Sequence, residues 1–293
     1  MQQTTAAAQE LTPLRPTRPG LVCAACNQKG GVGKTTLVCL LARAAHVLGL
    51  RVLVIDADPQ GNTTSTLSVQ DPEELTQGLA ESIAPGEDTG LAEVIVATDW
   101  ESVDLVPTPD GVSLSNTAEE IDRLKFGRDH ALKNALAPDP AEQPERRVID
   151  EYDLVLIDTT PALGRLLLLA LAAADFALPV TQPELWSADG LDALHETIDL
   201  VAQHHNPGLR SIGPIVNQVQ TTRRHASVLR EAIRPYYGEH GWTADEDLIP
   251  RWTDIPGYVE AGRGLDQGTA RDRAVADQLA EFVRRMLAEG GRI

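Results

Sequence analysis

The sequence predicts an α/β protein, a mostly parallel twisted sheet with helices on both faces. Three observations predict it. Apolar runs of strand length alternate with amphipathic stretches of helix length, the pattern that βαβ units leave. The run Leu154–Ile157 is apolar at every position, as a central parallel strand covered on both faces requires. Leu21–Cys26 is similarly apolar and leads at once into a glycine-rich turn and a helical pattern. Open α/β sheets bind ligands at such carboxyl ends of strands.

The elements follow in order. The first strand is Leu21–Cys26, and a helix runs from about Lys34 to Leu48. Gly49 suits the end of that helix because glycine accepts left-handed backbone. Further strands fall at Arg51–Ile55, Val103–Pro107, Leu154–Ile157, Phe176–Val180, Ile212–Val216 and Leu248–Ile249. Further helices fall at Val112–Lys125, Arg128–Ala137, Ala188–Gln203, Ala226–Tyr236 and Arg271–Leu287. Residues 138–147, PDPAEQPERR, hold three prolines and many charges and read as a surface loop. Residues 1–20 are rich in Pro, Thr and Gln and read as a flexible arm. No internal repeat is present, so residues 21–293 read as one domain.

Composition narrows the function. Hydrophobic residues make up 42% and charged residues 23% of 293, ordinary for a soluble protein. Aromatics are only 4%, so the core is expected to be aliphatic. The net charge of -18 excludes a protein that coats nucleic acid with its whole surface, but leaves a local basic patch open. Cys23, Cys26 and Cys39 are odd in number and speak for a reducing compartment. Cys23 and Cys26 form a CxxC inside an apolar strand, with no second pair to complete a zinc site, so they read as buried structural thiols. The longest apolar stretch, Ala162–Ala174, is interrupted by Gly164 and Arg165. It falls short of the roughly 18 residues of a transmembrane helix. The start of the chain lacks the charged-then-apolar order of a secretory signal. A cytoplasmic protein is expected.

The strongest chemical signal is Lys29-Gly30-Gly31-Val32-Gly33-Lys34-Thr35-Thr36, set between a buried strand and an amphipathic helix. That context defines a phosphate-binding loop. Glycines let the backbone approach phosphates, and the helix N-terminus adds a favourable dipole. Lys34 is placed for the terminal phosphates and the Thr35 hydroxyl for a magnesium ion. The usual pattern GxxxxGK[ST] has glycine first; Gln28 stands there, and a lysine, Lys29, opens the motif. Asp56 and Asp158 each follow an apolar strand, so both reach the carboxyl edge of the sheet, where they suit magnesium. Either alone also reads as a helix cap or turn aspartate, and Asp58-Pro59 reads as a turn.

With these residues in view, the chain resembles the ParA/MinD group of P-loop ATPases, and within it the ParA/Soj family. CNQKGGVGKTT is close to their deviant Walker A motif, DADPQGNTT is similar to their DxDPQGN segment, and YDLVLIDTTPALG resembles their Walker B region. Thr160 replaces the first proline of that last pattern. TQPELWSADGLDAL and IPRWTDIPGYVEAGRGL are similar to further family segments, so the resemblance runs from about Leu21 to the C-terminus. It implies an ATPase using ATP and Mg2+, with two ATP molecules sandwiched in a homodimer and slow intrinsic turnover. Lys29 would reach the partner's phosphates. Asp56 and Asp158 would lie near the magnesium, and Asp58 would position the attacking water. Asn217, Pro250 and Arg251 match positions around the adenine.

The resemblance also implies nonspecific binding of double-stranded DNA by the dimer and release through a ParB-type activator. Such a protein is nucleoid-associated when ATP-bound and partitions a plasmid or chromosome. DNA binding needs only basic contacts to phosphates; Arg223, Arg224, Arg230, Arg251, Arg263, Arg271 and Arg273 are the candidates. A membrane-directed relative would need a basic amphipathic C-terminal helix. Here Val275, Leu279, Phe282, Val283, Met286 and Leu287 form a stripe with few basic neighbours, the pattern of a core-facing helix, so no stable membrane association is expected. Positioning of a non-DNA cargo, or action at the membrane, is the alternative. An iron-protein relative would need cysteines between subunits, and these three lie within the nucleotide fold.

Overall fold

The computed structural model describes residues 14, 16–17, 19–137, 147–182, 188–219, 248–250, 257–258 and 261–293. The aliphatic runs become strands because neighbours cover both of their faces. In chain order the strands are β1 (Leu21–Cys26), β2 (Val52–Ala57), β3 (Val96–Ala97), β4 (Val103–Val106), β5 (Leu154–Thr159), β6 (Phe176–Thr181), β7 (Arg210–Ser211), β8 (Ile215–Val219) and β9 (Leu248–Pro250). The helices are α1 (Lys34–Val47), α2 (Asn62–Leu67), α3 (Leu79–Ile83), α4 (Gly111–Arg123), α5 (Ala131–Leu136), α6 (Arg165–Ala173), α7 (Ala188–His204) and α8 (Ala270–Glu289). Every residue of β1, β2, β5 and β6 is buried.

The strands order as β3-β4-β2-β5-β1-β6-β8-β9, with β7 also on β6. All pairings are parallel except β3 with β4. The two-residue period of a strand divides the core into two layers. Leu21, Cys23, Ala25, Val52, Val54, Leu154 and Leu156 pack with α1 and α8. Val22, Ala24, Cys26, Leu53, Ile55, Val155 and Ile157 pack on the opposite side with α4, α6 and α7. The three cysteines are buried and free, in line with structural thiols. The apolar stripe of α8 is buried from Val275 to Leu287.

Several boundaries differ from the sequence reading. Of the expected strand Ile212–Val216 only Ile215 and Val216 are strand, at the start of β8; β7 ends before it at Ser211, and Ile212 to Pro214 pair with no ladder, in keeping with a proline that has no N–H to donate. The helix expected from Arg128 opens as a 3-10 turn, Arg128–His130, before α5. Helices α2, α3 and α6 are additional. Leu14, in the expected arm, packs on the α1 layer, and the Thr17 N–H donates to the Arg292 carbonyl at 2.8 Å. The expected helix Ala226–Tyr236 and nearly all of the proline-rich loop lie outside the described residues.

One ion pair fastens α1, the helix behind the phosphate loop, to the turn before α8. Arg43 donates through Nε at 2.9 Å and through its terminal nitrogen at 2.7 Å to the two Asp266 oxygens. Its guanidinium also lies over the Trp100 ring at 5.5 Å. Burial alone would raise the Asp266 carboxyl; the bonds and charge of Arg43 outweigh it and hold the carboxyl below its ordinary 3.8. A depressed acid stabilises the fold above its unfolded value and loses that contribution as the pH falls. Asp266→Asn is therefore expected to cost about 1–3 kcal/mol at neutral pH. Denaturant unfolding at neutral pH and below 3.8 checks it, because the gap between variant and parent should close on the acid side.

Candidate functional site

β1 delivers the chain to the carboxyl edge of the sheet, and the loop from Asn27 to Gly33 turns it back into α1. Two glycines take left-handed backbone there, Gly31 at φ 74° and Gly33 at φ 90°. Side chains from neighbouring strand ends hold the loop. Asn27 accepts from the Lys29 N–H at 2.8 Å and donates to the Val180 carbonyl. Gln182 donates to the Gly31 carbonyl at 2.7 Å, and Asn217 to the Val32 carbonyl at 3.0 Å. Gly33, the N-cap of α1, has no side chain to satisfy the first helical N–H groups, so those donors suit an anion.

The two lysines of the motif separate by burial. Lys34 is buried, with only 7% of its surface exposed, whereas Lys29 is exposed. Burial lowers the Lys34 pKa, and the charges of Asp158 and Asp58 oppose that shift. Asp58 thus lies within the field of the loop lysine. Its Oδ1 also accepts from the Gln60 N–H at 3.0 Å, the turn contact that the Asp-Pro sequence suggested.

Asp56 and Asp158 are register partners on adjacent strands, both fully buried. They lie within β2 and β5 rather than after them. Strand parity puts both on the α1 side, where Thr35 opens the helix. The Thr35 hydroxyl donates to Asp158 Oδ2 at 2.6 Å, and the Thr63 hydroxyl donates to the same oxygen at 2.7 Å. Asp158 Oδ1 is buried with no partner among the described residues. Asp56 Oδ2 accepts from the Thr64 N–H at 2.8 Å and its hydroxyl at 2.7 Å, and Oδ1 from the Asp58 N–H at 3.2 Å. Burial, with the adjacent Asp158, pushes the Asp56 carboxyl up to about 7. Burial also raises Asp158, against the hydroxyls of Thr35 and Thr63 and the charge of Lys34.

This donor set fits a hard divalent cation. It offers carboxylate and hydroxyl oxygens, and one carboxylate oxygen is buried and unsatisfied; magnesium prefers such ligands. The sequence reading had not singled out Thr63, Thr64, Asn27 or Gln182. The first two directly follow the DPQGN segment, and Gln182 directly follows β6, so proximity to strand ends was the available signal.

The other expected residues are distributed unevenly. Asn217 stands against the loop. Pro250 ends β9, which pairs with β8. Arg263 and Arg271 are exposed near the N-terminal end of α8, Arg263 over the Tyr258 ring at 5.8 Å. Arg223, Arg224, Arg230 and Arg251 lie outside the described residues.

A parallel sheet with this loop at the carboxyl end of its central strand, and carboxylates on the next strands, defines a P-loop NTPase fold. A family model described as an AAA domain matches residues 20–211. The chain is 34% identical over 234 residues to the chromosome partitioning protein ParA of Myxococcus xanthus, covering 79% of this chain and 76% of that protein. It is 30% identical over 272 residues to the sporulation initiation inhibitor protein Soj of Bacillus subtilis, covering 92% and 100%. Cobyrinic acid a,c-diamide synthase from Mycobacterium smegmatis, solved with bound ATP analog and magnesium, superposes with a TM-score of 0.72 at 29% identity, covering 93% and 97%. The chain belongs to the ParA/Soj family of P-loop partition ATPases.

Gly33 offers a direct test of the loop. A Cβ there would lie 2.0 Å from Asn217 Nδ2, at a φ of 90° that a side chain resists. Gly33→Ala should force Asn217 off the Val32 carbonyl and reshape the loop. The stabilisation that ADP with magnesium gives the parent in a thermal melt should then be lost. A full ligand-induced shift in the variant would contradict this geometry.

Proposed function

We propose that this chain is an ATP-dependent DNA-partition ATPase. On this reading it dimerises on ATP, binds double-stranded DNA without sequence preference, and is released when a ParB-type partner stimulates hydrolysis. The observation that carries the reading is the gathering of Thr35, Asp56 and Asp158 at the phosphate loop, with one Asp158 oxygen unpartnered among the described residues, in a chain 32–34% identical to chromosome partitioning proteins.

The roles are those the family resemblance implies, read with the burial and charge of each residue. Lys34 and the N–H groups of Gly30, Gly31, Val32, Gly33, Thr35 and Thr36 hold the phosphates. The Thr35 hydroxyl, Asp56 and Asp158 hold the magnesium. When bound, the ion neutralises charge on the phosphates and orients them. Asp58, anchored by its turn and close enough to act on Lys34, orients the attacking water. Lys29 is exposed and reaches the phosphates bound by the partner subunit, where a donated cation stabilises the developing charge. Turnover in the monomer is therefore slow, and the bound nucleotide acts as a timer. Asn217, Pro250 and Arg251 are assigned to the adenine side, and residues 21–293 to one ATPase domain.

Lys29→Ala tests the trans role. It should abolish the dimer-dependent part of ATP turnover, a loss of about 10³-fold if it acts like an arginine finger, with ATP affinity retained. Turnover that survives intact removes Lys29 from the mechanism.

The DNA reading rests on phosphate contacts, with Arg263 before α8 and Arg271 and Arg273 at its start, all exposed, as the described candidates. Binding to nonspecific duplex DNA should require ATP, be absent with ADP, and weaken steeply between two salt concentrations. ATP hydrolysis without DNA binding in any state would favour a non-DNA cargo. Membrane recruitment through the C-terminal helix has less support, since Val275, Leu279, Phe282 and Val283 are committed to the core.

A further inference from the structure

We propose that Thr63 is a positioning residue for the magnesium carboxylate, tying the helix after the Asp58 turn to Asp158. The inference rests on the reading of Asp158 as that carboxylate.

Thr63 lies in the first turn of α2, its side chain fully buried. Its hydroxyl donates to Asp158 Oδ2 across a sequence separation of 95 residues. Thr35 donates to the same oxygen. Two short donors on one oxygen fix the plane of the carboxylate. They also leave Oδ1 as the oxygen with unused acceptor capacity, buried and without a partner among the described residues. A carboxylate held by Thr35 alone could rotate and share either oxygen. Thr63 removes that freedom, so Oδ1 is presented before any ion arrives. Partners of this kind tune metal affinity through the orientation of the ligand.

The same hydroxyl also works in the other direction. The N-cap of α2 is Gly61, and the preceding residues are the Asp58 turn, where the Gly61 N–H donates to the Asp58 carbonyl at 3.0 Å. Thr63 and its neighbour Thr64 therefore anchor one helix to both carboxylates, Thr64 on Asp56 and Thr63 on Asp158. The position of the Asp58 turn is coupled to the occupied site through these bonds. Thr64 also accepts from the Thr108 N–H at 2.8 Å and so belongs to the sheet edge. Thr63 makes its side-chain contact with the carboxylate.

The test uses the full chain with ADP and titrates Mg2+ while following thermal stability. Thr63→Val keeps shape and removes the donor, and should raise the Mg2+ concentration at half-maximal stabilisation roughly ten-fold. ADP affinity without the metal should be unchanged. Thr63→Ser should restore the parent half-point. Thr66→Val, on the same helix with its hydroxyl on the Asn62 carbonyl, should leave it unmoved. If valine prevents folding, Thr63→Ala supplies the same reading. A lower melting temperature with an unchanged Mg2+ half-point would overturn the proposal, as would serine behaving like valine. If the parent itself gains no stability from Mg2+, the reading of Asp158 fails, and this inference fails with it.

Discussion

Two carboxylates stand side by side in the middle of a buried sheet, and the site is organised around that. Asp56 and Asp158 pair across adjacent strands with no exposure to solvent. Neighbouring strands lie about 4.8 Å apart. At that distance two negative charges repel by about 3 kcal/mol, taking an effective dielectric near 20, before the larger loss of hydration is counted. The protein meets this in two ways. Hydroxyls and N–H groups of Thr35, Thr63, Thr64 and Asp58 solvate three of the four oxygens. A proton is held more tightly than usual, with Asp56 raised to about 7. A divalent cation resolves the conflict more completely, and Asp158 Oδ1 is the oxygen left for it. The charge left on this buried pair suits a hard divalent cation.

The sheet makes that arrangement possible because strand parity is rigid. Even-numbered residues of β2 and β5 face α1, so an aspartate at either position must face it too. α1 begins where β1 ends, which brings Thr35 to Asp158 without a long loop. The loop in between is fixed by amides from Gln182, just past β6, and Asn217, within β8. The phosphate loop, the two aspartates and the Asp58 turn therefore sit on parts of one packed edge.

Much of this edge was legible in the sequence. The phosphate loop announces itself by glycines between a strand and a helix, and β1, β5 and β6 by unbroken aliphatic runs. The aspartates were found but set one step outside their strands, because a charge was read as the end of a run. The packed structure tolerates the charge inside the strand since the hydroxyls compensate it. Helix α6 was missed for the opposite reason: RLLLLALAA is apolar on nearly every side and shows no helical period. Helices α2 and α3 are too short for a period to register. The Thr63 bond was illegible, because its partner is 95 residues away and a threonine on a helix usually means nothing. Only the fold brings them together.

In a chain of net charge -18 the positive charge is sparse, and where it is exposed matters. At the phosphate loop Lys34 is buried among carboxylates, while Lys29 is exposed, so the pair divides into an internal and an external cation. Elsewhere most described arginines are spent on structure. Arg43 is bound to Asp266, Arg165 to Asp122 and Asp129, and Arg147 to Asp150. Arg210 donates to the Glu289 carbonyl and Arg292 faces Asp175. An arginine that neutralises a carboxylate cannot also neutralise a DNA phosphate without losing the first bond. Arg43 and Arg165 are the most deeply committed of these, their side chains 13% and 10% exposed against their carboxylates. Arg263 keeps its charge exposed over a tyrosine ring, an association worth about 0.5–1 kcal/mol at the surface, which a phosphate contact can retain.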